Sequence, residues 1–201
     1  MVEEINQPKL LLVEGLDDHA FFKALFNHLN ISDIQVQKFD GNEKLRLFLG
    51  VLINAPNFEL VKSIGIVRDA EQNSKAAFDE ICYALEEAGL AKPEHVGTMT
   101  VSSLRTGIYL LPNLESETGM LEDLCLQMLN AEPALICVEQ YFQCLRAQDI
   151  QPPRNLSKAK LTTFLASRPE LRLRMAYTMN QDYWTWNHPC LDPLKEFLQA
   201  L

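Results

Sequence analysis

Leu10-Leu11-Leu12-Val13-Glu14-Gly15-Leu16-Asp17-Asp18 decides the fold, because an apolar run ends there abruptly in carboxylates. Four apolar residues in a row, closed by a turn signal, are the pattern of a strand buried on both faces, as in a parallel sheet. Gly15 permits a tight turn and Asp17 or Asp18 suits the start of a helix. Ala20, Phe21, Ala24, Leu25 and Leu29 then supply that helix with an apolar stripe. Glu14 therefore closes a strand at its carboxyl end, the edge where open α/β sheets bind ligands. Asp18 follows it across the turn, so both carboxylates face one small volume and repel unless a cation or a proton separates them.

Downstream the pattern repeats. Ile34–Phe39 alternates as a strand, Asp40-Gly41-Asn42 is a turn, and Glu43–Asn54 reads as a helix. Val61–Val67 is a third strand, running into Asp69 and Glu71, and Lys75–Ala88 is a helix closed by Gly89. Alternating strands and helices imply right-handed crossovers and a layered α/β sheet, mostly parallel, with helices on both faces. Val96–Val101 and Gly107–Leu111 read as two further strands in an antiparallel hairpin, followed by a helix at Gly119–Asn130. Strand signals stop there. Helices are expected at Leu135–Ala147, Leu156–Ala166, Leu171–Met179 and Asp192–Leu201. The expected organisation is an α/β domain over 1–131 and a helical extension over 132–201 packed on it.

The chain has 201 residues, 47% of them hydrophobic, and a formal charge of −9, the balance of a globular protein rather than of a broadly basic nucleic-acid binder. That objection weakens if the acids gather around divalent cations. No run approaches the roughly 20 apolar residues of a membrane span. Met1–Pro8 has neither the basic start nor the apolar core of a signal peptide, so no membrane partner and a cytoplasmic location are expected. The five cysteines form no C-x-x-C pair and most lie among apolar residues in helical-looking stretches, which predicts buried, reduced thiols. Trp184 and Trp186 either stack on bases or, as large aromatics more often do, anchor the C-terminal part.

Three acid pairs sit at strand ends or helix starts: Glu14 with Asp18, Asp69 with Glu71, and Glu122 with Asp123. Asp69 and Glu71 leave an extended strand on the same side. If the first and third strands are neighbours, Glu14 and Asp69 come within reach of one cation. Oxygen ligands without a histidine or thiol cluster favour Mg²⁺ or Mn²⁺ over zinc. Any one acid in a first helical turn is explained by the helix dipole, but Glu14 and Asp69 close strands.

L-L-V-E-G-L-D-D followed by G-I-V-R-D-A-E resembles the Toprim domain, a Rossmann-like fold shared by topoisomerases, bacterial primases, recombination proteins and OLD-family nucleases. Glu71 stands where that family usually has aspartate. The resemblance extends to the OLD nucleases and their single-domain relatives, with Asp18 as the second acid and Gly119 and Glu122 in G-M-L-E-D as a small residue and a glutamate at a helix start. It implies metal ligands at Glu14, Asp18, Asp69, Glu71 and Glu122, with Asp123 in support; a single-metal site with Glu14 as general acid or base fits the sequence nearly as well. It also implies a catalytic lysine beyond the core, for which Lys158 and Lys160 are the candidates. The implied activity is metal-dependent cleavage of DNA or RNA phosphodiester bonds, by a two-metal or a one-metal route. The alternative is a non-catalytic Toprim scaffold serving a partner protein or a second copy of itself. No G-x-x-x-x-G-K-[ST] occurs, so the ATPase that accompanies full-length OLD proteins has no counterpart in this sequence.

Overall fold

The structure is a computed structural model that describes residues 2–201. Its centre is a four-stranded parallel sheet of β1 (Lys9–Val13), β2 (Ile34–Lys38), β3 (Ser63–Asp69) and β4 (Arg105–Leu111), in the spatial order β2-β1-β3-β4. The apolar run of β1 explains its place in the interior of the sheet. Leu11 and Val13 join one core cluster, Leu10 and Leu12 the other, and all four side chains are fully buried. A strand covered on both faces needs apolar side chains on both.

Helices α1 (Leu16–Leu29), α2 (Leu45–Leu52) and α3 (Ser74–Glu87) make the three crossovers. Phe21, Phe22 and Leu25 of α1 pack on the face of Leu11 and Val13, whereas Leu49 of α2 and Ile81 and Leu85 of α3 pack on the opposite face. This division follows from handedness. The first crossover leaves β1 in one direction and the next two run the other way, so right-handed connections place their helices on opposite faces.

After β4 come α4 (Leu121–Met128), α5 (Pro133–Ala147), α6 (Leu156–Ala166) and α7 (Asp192–Ala200), and all four contribute to the α1 side of the sheet. Phe142 of α5, Phe164 of α6 and Phe197 of α7 share one continuous core cluster with Phe21 and Tyr109. Trp184 is buried and donates its indole N–H to the Thr178 carbonyl at 2.8 Å, while the Trp186 ring lies 5.4 Å from that of Phe21. Both tryptophans thus serve as anchors. The far end of the chain is seated deep in this core. Leu201 is buried against Gly65 in the middle of β3, the Ser63 hydroxyl donates to its backbone oxygen at 2.6 Å, and Arg105 donates to the Ala200 oxygen at 3.0 Å.

Several local expectations are corrected. Val96–Val101 is not a strand. Gly97 takes a φ of 80°, and only an isolated antiparallel bridge from Met99 to Gly107 touches β4, which pairs in parallel with β3. Leu171–Met179 is not a helix but a loop with one 3-10 turn at Met175–Tyr177, fixed by the Asp17 carboxylate accepting the Ala176 N–H at 2.8 Å. Cys137 and Cys144 are exposed on α5 rather than buried, and all five thiols are free.

Candidate functional site

The chain reverses its winding between β1 and β3, because β1 leads to β2 on one side while β3 lies on the other. At such a switch point the loops above the carboxyl ends of the strands part and leave a crevice. Glu14, directly after β1, and Asp69, the last residue of β3, flank it on neighbouring strands.

Asp69 is the most deeply placed acid. Its Oδ1 accepts the Leu121 N–H at 2.8 Å, tying the end of β3 to the first residue of α4. Burial raises its pKa well above the ordinary carboxylate range, and the charges of Asp18, Glu122 and Glu14 push the same way, outweighing the single N–H bond. Asp18 caps its own helix by accepting the Gly15 N–H at 3.0 Å. Burial, followed by the charges of Glu122 and Asp17, lifts its pKa to about 6 against the pull of the backbone N–H groups. Glu14, Asp18, Asp69 and Glu122 therefore form one electrostatic group.

A cleft of about 690 Å³ opens from this group. Asp69, Glu71, Glu122 and Asp123 line one wall, while Arg154, Asn155, Ser157 and Lys158 line the other. The acidic wall is shaped by the loop before α4. Gly119 exchanges two backbone hydrogen bonds of 2.8 Å with Glu71, and Gly119 takes a φ of 128°. A Cβ there would stand 2.7 Å from Pro112 Cδ, so only glycine fits. Glu71 is exposed and itself left-handed, at a φ of 51°. Asp123 is engaged structurally: its Oδ2 accepts the Met120 N–H at 2.9 Å and its Oδ1 accepts the Ser157 hydroxyl, which fastens α6 to α4. The Asn155 side chain caps α6 by accepting the Lys158 N–H at 2.9 Å, and so holds that helix with its N-terminus over the cleft.

The two candidate lysines separate. Lys158 Nζ lies 3.7 Å from Glu122 Oε1 and lines the cleft. Lys160 pairs with Glu139 of α5 at 2.6 Å and does not line it. Asn155 and Ser157 have no counterpart among the sequence candidates. N-L-S-K announces a helix start, but nothing local in it announces α4 as its neighbour.

Among the described residues no three His, Cys, Asp or Glu side chains close around one point as they stand. The donor chemistry nonetheless fits a hard divalent cation. Every candidate ligand is a carboxylate, and two of them are driven toward protonation by burial and mutual repulsion, which a cation relieves.

No curated protein matches the sequence significantly. Among solved structures, the chain is similar to the C-terminal region of the Xanthomonas campestris pv. campestris OLD protein, determined in crystals phased with mercury, iodine and platinum. The mercury-phased structure is 15% identical, with 96% of each chain covered and a TM-score of 0.48. The iodine-phased one is 15% identical, covering 94% of this chain and 97% of that one, with a TM-score of 0.46. The platinum-phased one is 13% identical, covering 97% and 98%, with a TM-score of 0.43. The family described as "Protein of unknown function (DUF3226)" matches residues 8–201, nearly the whole chain, and the protein belongs to it.

Proposed function

We propose that this protein is a divalent-metal-dependent, Toprim-like enzyme that cleaves nucleic-acid phosphodiester bonds, using Mg²⁺ or Mn²⁺. The observation that carries this reading is Asp69, a buried carboxylate at the switch point of a parallel sheet, held in the field of Asp18, Glu122 and Glu14. Acids that raise each other's pKa cost stability at neutral pH, and such costs cluster at functional sites. The V-E-G-L-D-D, V-R-D-A-E and G-M-L-E-D motifs support the same reading through their resemblance to Toprim sequences.

Glu14, Asp18, Asp69 and Glu122 would hold the metal, with Glu71 at the exposed rim and Asp123 bracing α4. Bound there, the ion would polarise a phosphoryl oxygen and make water a better nucleophile. The chain's own cations act from the opposite wall. Lys158, on the helix fixed by Asn155, presents an ammonium to the negative charge that grows on a scissile phosphate, and Arg154 presents a guanidinium beside it. In a one-metal arrangement Glu14, at the carboxyl end of β1 and in the field of Asp69, would instead accept or return the proton of the attacking water or leaving oxygen.

A second reading, a non-catalytic Toprim scaffold for a partner protein, is favoured by one observation. The Lys158 ammonium already stands beside Glu122 and supplies part of the positive charge the acids call for. Calorimetric titration with Mn²⁺ and Mg²⁺, beside D69N and followed by cleavage assays on single- and double-stranded DNA and RNA, separates the two. Saturable binding lost in the variant, with metal-dependent cleavage, supports the enzyme. Binding without cleavage supports the scaffold. No binding at millimolar metal rejects the site.

A further inference from the structure

The acidic character of the chain is unevenly spread. Residues 132–201 have eight Lys/Arg against seven Asp/Glu, so residues 1–131 carry the whole negative excess, at −10. Within 154–174 the imbalance sharpens to six Lys/Arg against the single acid Glu170. This basic stretch is α6 and the loop that returns beside it, and the fold lays it against the carboxylate cleft.

The cleft does not end at Lys158. A second cavity of about 280 Å³ shares Glu122 and Lys158 with it and is lined by Leu161, Thr162 and Leu165 of α6. These positions recur at helical spacing, so the cavity follows one face of the helix. Its other side is Leu173, Arg174 and Met175 of the returning loop, with Asp17 of α1, whose carboxylate stands 4.0 Å from the Arg174 guanidinium and which a phosphate there would have to displace. A third cavity, of about 230 Å³, lies past the end of α6 between Arg168, Arg172, Gln181 and Tyr183. Ten residues separate Lys158 from Arg168, about 15 Å at 1.5 Å per residue. The three cavities thus follow α6 in succession over the length of a few nucleotides, the first two sharing walls and the third beginning beyond the end of the helix, with cations at intervals.

The last cavity contains an incomplete donor set. The Arg168 guanidinium lies over the Phe164 ring at 4.4 Å from its centroid and near Tyr183 at 5.9 Å. Nη1 reaches Glu132 at 3.4 Å and Nη2 reaches Ser167 at 3.2 Å, but the buried Nε has no hydrogen-bond partner. A buried guanidinium N–H without an acceptor is costly, and a phosphate oxygen is a matching acceptor for its planar fork. Arg172 beside it is held by the Tyr177 carbonyl at 3.0 Å and by Glu170 at 3.1 Å. Glu170 occupies the position a phosphate would contest.

We propose that the groove along α6 binds a single strand of nucleic acid, with its phosphates on Arg174 and the Arg168–Arg172 cavity, and that it feeds the strand to the carboxylate cleft. This deepens the enzymatic reading and rests on it. A single strand fits better than a duplex because the cavities are small and follow one helix, with the carboxylates of the cleft at their head. Tyr183 lines the last cavity and gives it an aromatic element suited to an unpaired base.

The test is fluorescence anisotropy with a labelled single-stranded oligonucleotide in EDTA, titrated with NaCl, so that strand binding is read without metal and the metal site is tested separately by Mn²⁺ calorimetry. R172Q/R174Q, two exposed substitutions, should weaken binding at least about tenfold at low salt and flatten the salt slope by about 1.4, at about 0.7 per lost phosphate contact. E170Q should tighten binding, and R168K, which keeps the charge but loses the fork, should weaken it at an unchanged thermal midpoint. Unlabelled duplex should compete poorly. Absence of strand binding by the wild-type protein at low salt, an R172Q/R174Q variant that binds like wild type, or equal competition by duplex overturns the proposal whatever the Mn²⁺ titration shows.

Discussion

Asp69 Oδ1 accepts the Leu121 N–H at 2.8 Å, so the acid that ends the third strand also caps the helix that carries Glu122. One carboxylate thus does a charge's work and a hydrogen bond's work, and two substitutions separate them. D69N keeps an oxygen for Leu121 and removes a charge that burial and three neighbouring acids disfavour, so the metal-free protein at neutral pH should melt higher than wild type. D69A also loses the cap and should fall below D69N by about 1 kcal/mol. Both should lose Mn²⁺ binding. Thermal unfolding in EDTA and with Mn²⁺ checks the order, and a D69N variant less stable than wild type in EDTA would mark Asp69 as a purely structural acid.

Asp18 gives the metal-free protein a pH dependence of known sign. Its folded pKa, about 6, lies above the ordinary 3.8, so the folded state holds the proton more tightly than the unfolded chain does. The contribution of this residue to stability is therefore fully present below about pH 4 and is lost as the pH rises through about 6, by up to about 3 kcal/mol. Urea midpoints across that range should show the wild-type protein losing ground to D18N, which keeps an acceptor for Gly15.

Lys158 and Lys160 should behave oppositely. K158M removes the ammonium from the cleft, so any cleavage activity should drop by about a hundredfold or more. Mn²⁺ affinity should hold or rise as Glu122 is released. K160M breaks only a partly exposed pair with Glu139, a change of at most about 1 kcal/mol with turnover unaffected. Single-turnover assays and calorimetry on both variants distinguish them from a site that uses neither lysine.

Gly119 and Gly50 provide an internal contrast. At Gly119 the left-handed backbone and the nearby Pro112 ring make G119A destabilising by about 1–3 kcal/mol, with weaker metal binding because Glu71 and the start of α4 shift together. Gly50 is in α2 with open space around its Cβ position, so G50A should gain about 0.5–1 kcal/mol and leave the cleft alone. Denaturant titrations of the pair test whether the loop geometry matters to the site.

What the sequence reveals of this architecture depends on how local each signal is. Leu10–Val13 declares a doubly buried strand because its burial demand is written in consecutive residues, and Glu14 and Asp69 stand out because acids at the ends of such strands have no packing role. Val96–Val101 alternates like a strand but has Gly97 in the left-handed region and only a bridge to β4. L-R-L-R-M at 171–175 has helical content in its residues, yet Asp17, more than 150 positions earlier, dictates the turn there. The cleft's second wall was equally hidden. Asn155 and Ser157 matter through contacts with Met120 and Asp123 that no short window contains.

The seating of Leu201 against Gly65 bears on the order in which the chain can fold. Until α7 docks, Tyr109 lacks the Phe197 ring beside it and Gly65 lacks the Leu201 side chain that lies over it. The bond from Ser63 to Leu201 spans 138 positions, a loop closure that nothing local can anticipate. The sheet built by the first three crossovers therefore keeps part of one face uncovered until a segment more than a hundred positions away docks, which makes closing that face a long-range step of folding rather than a local one.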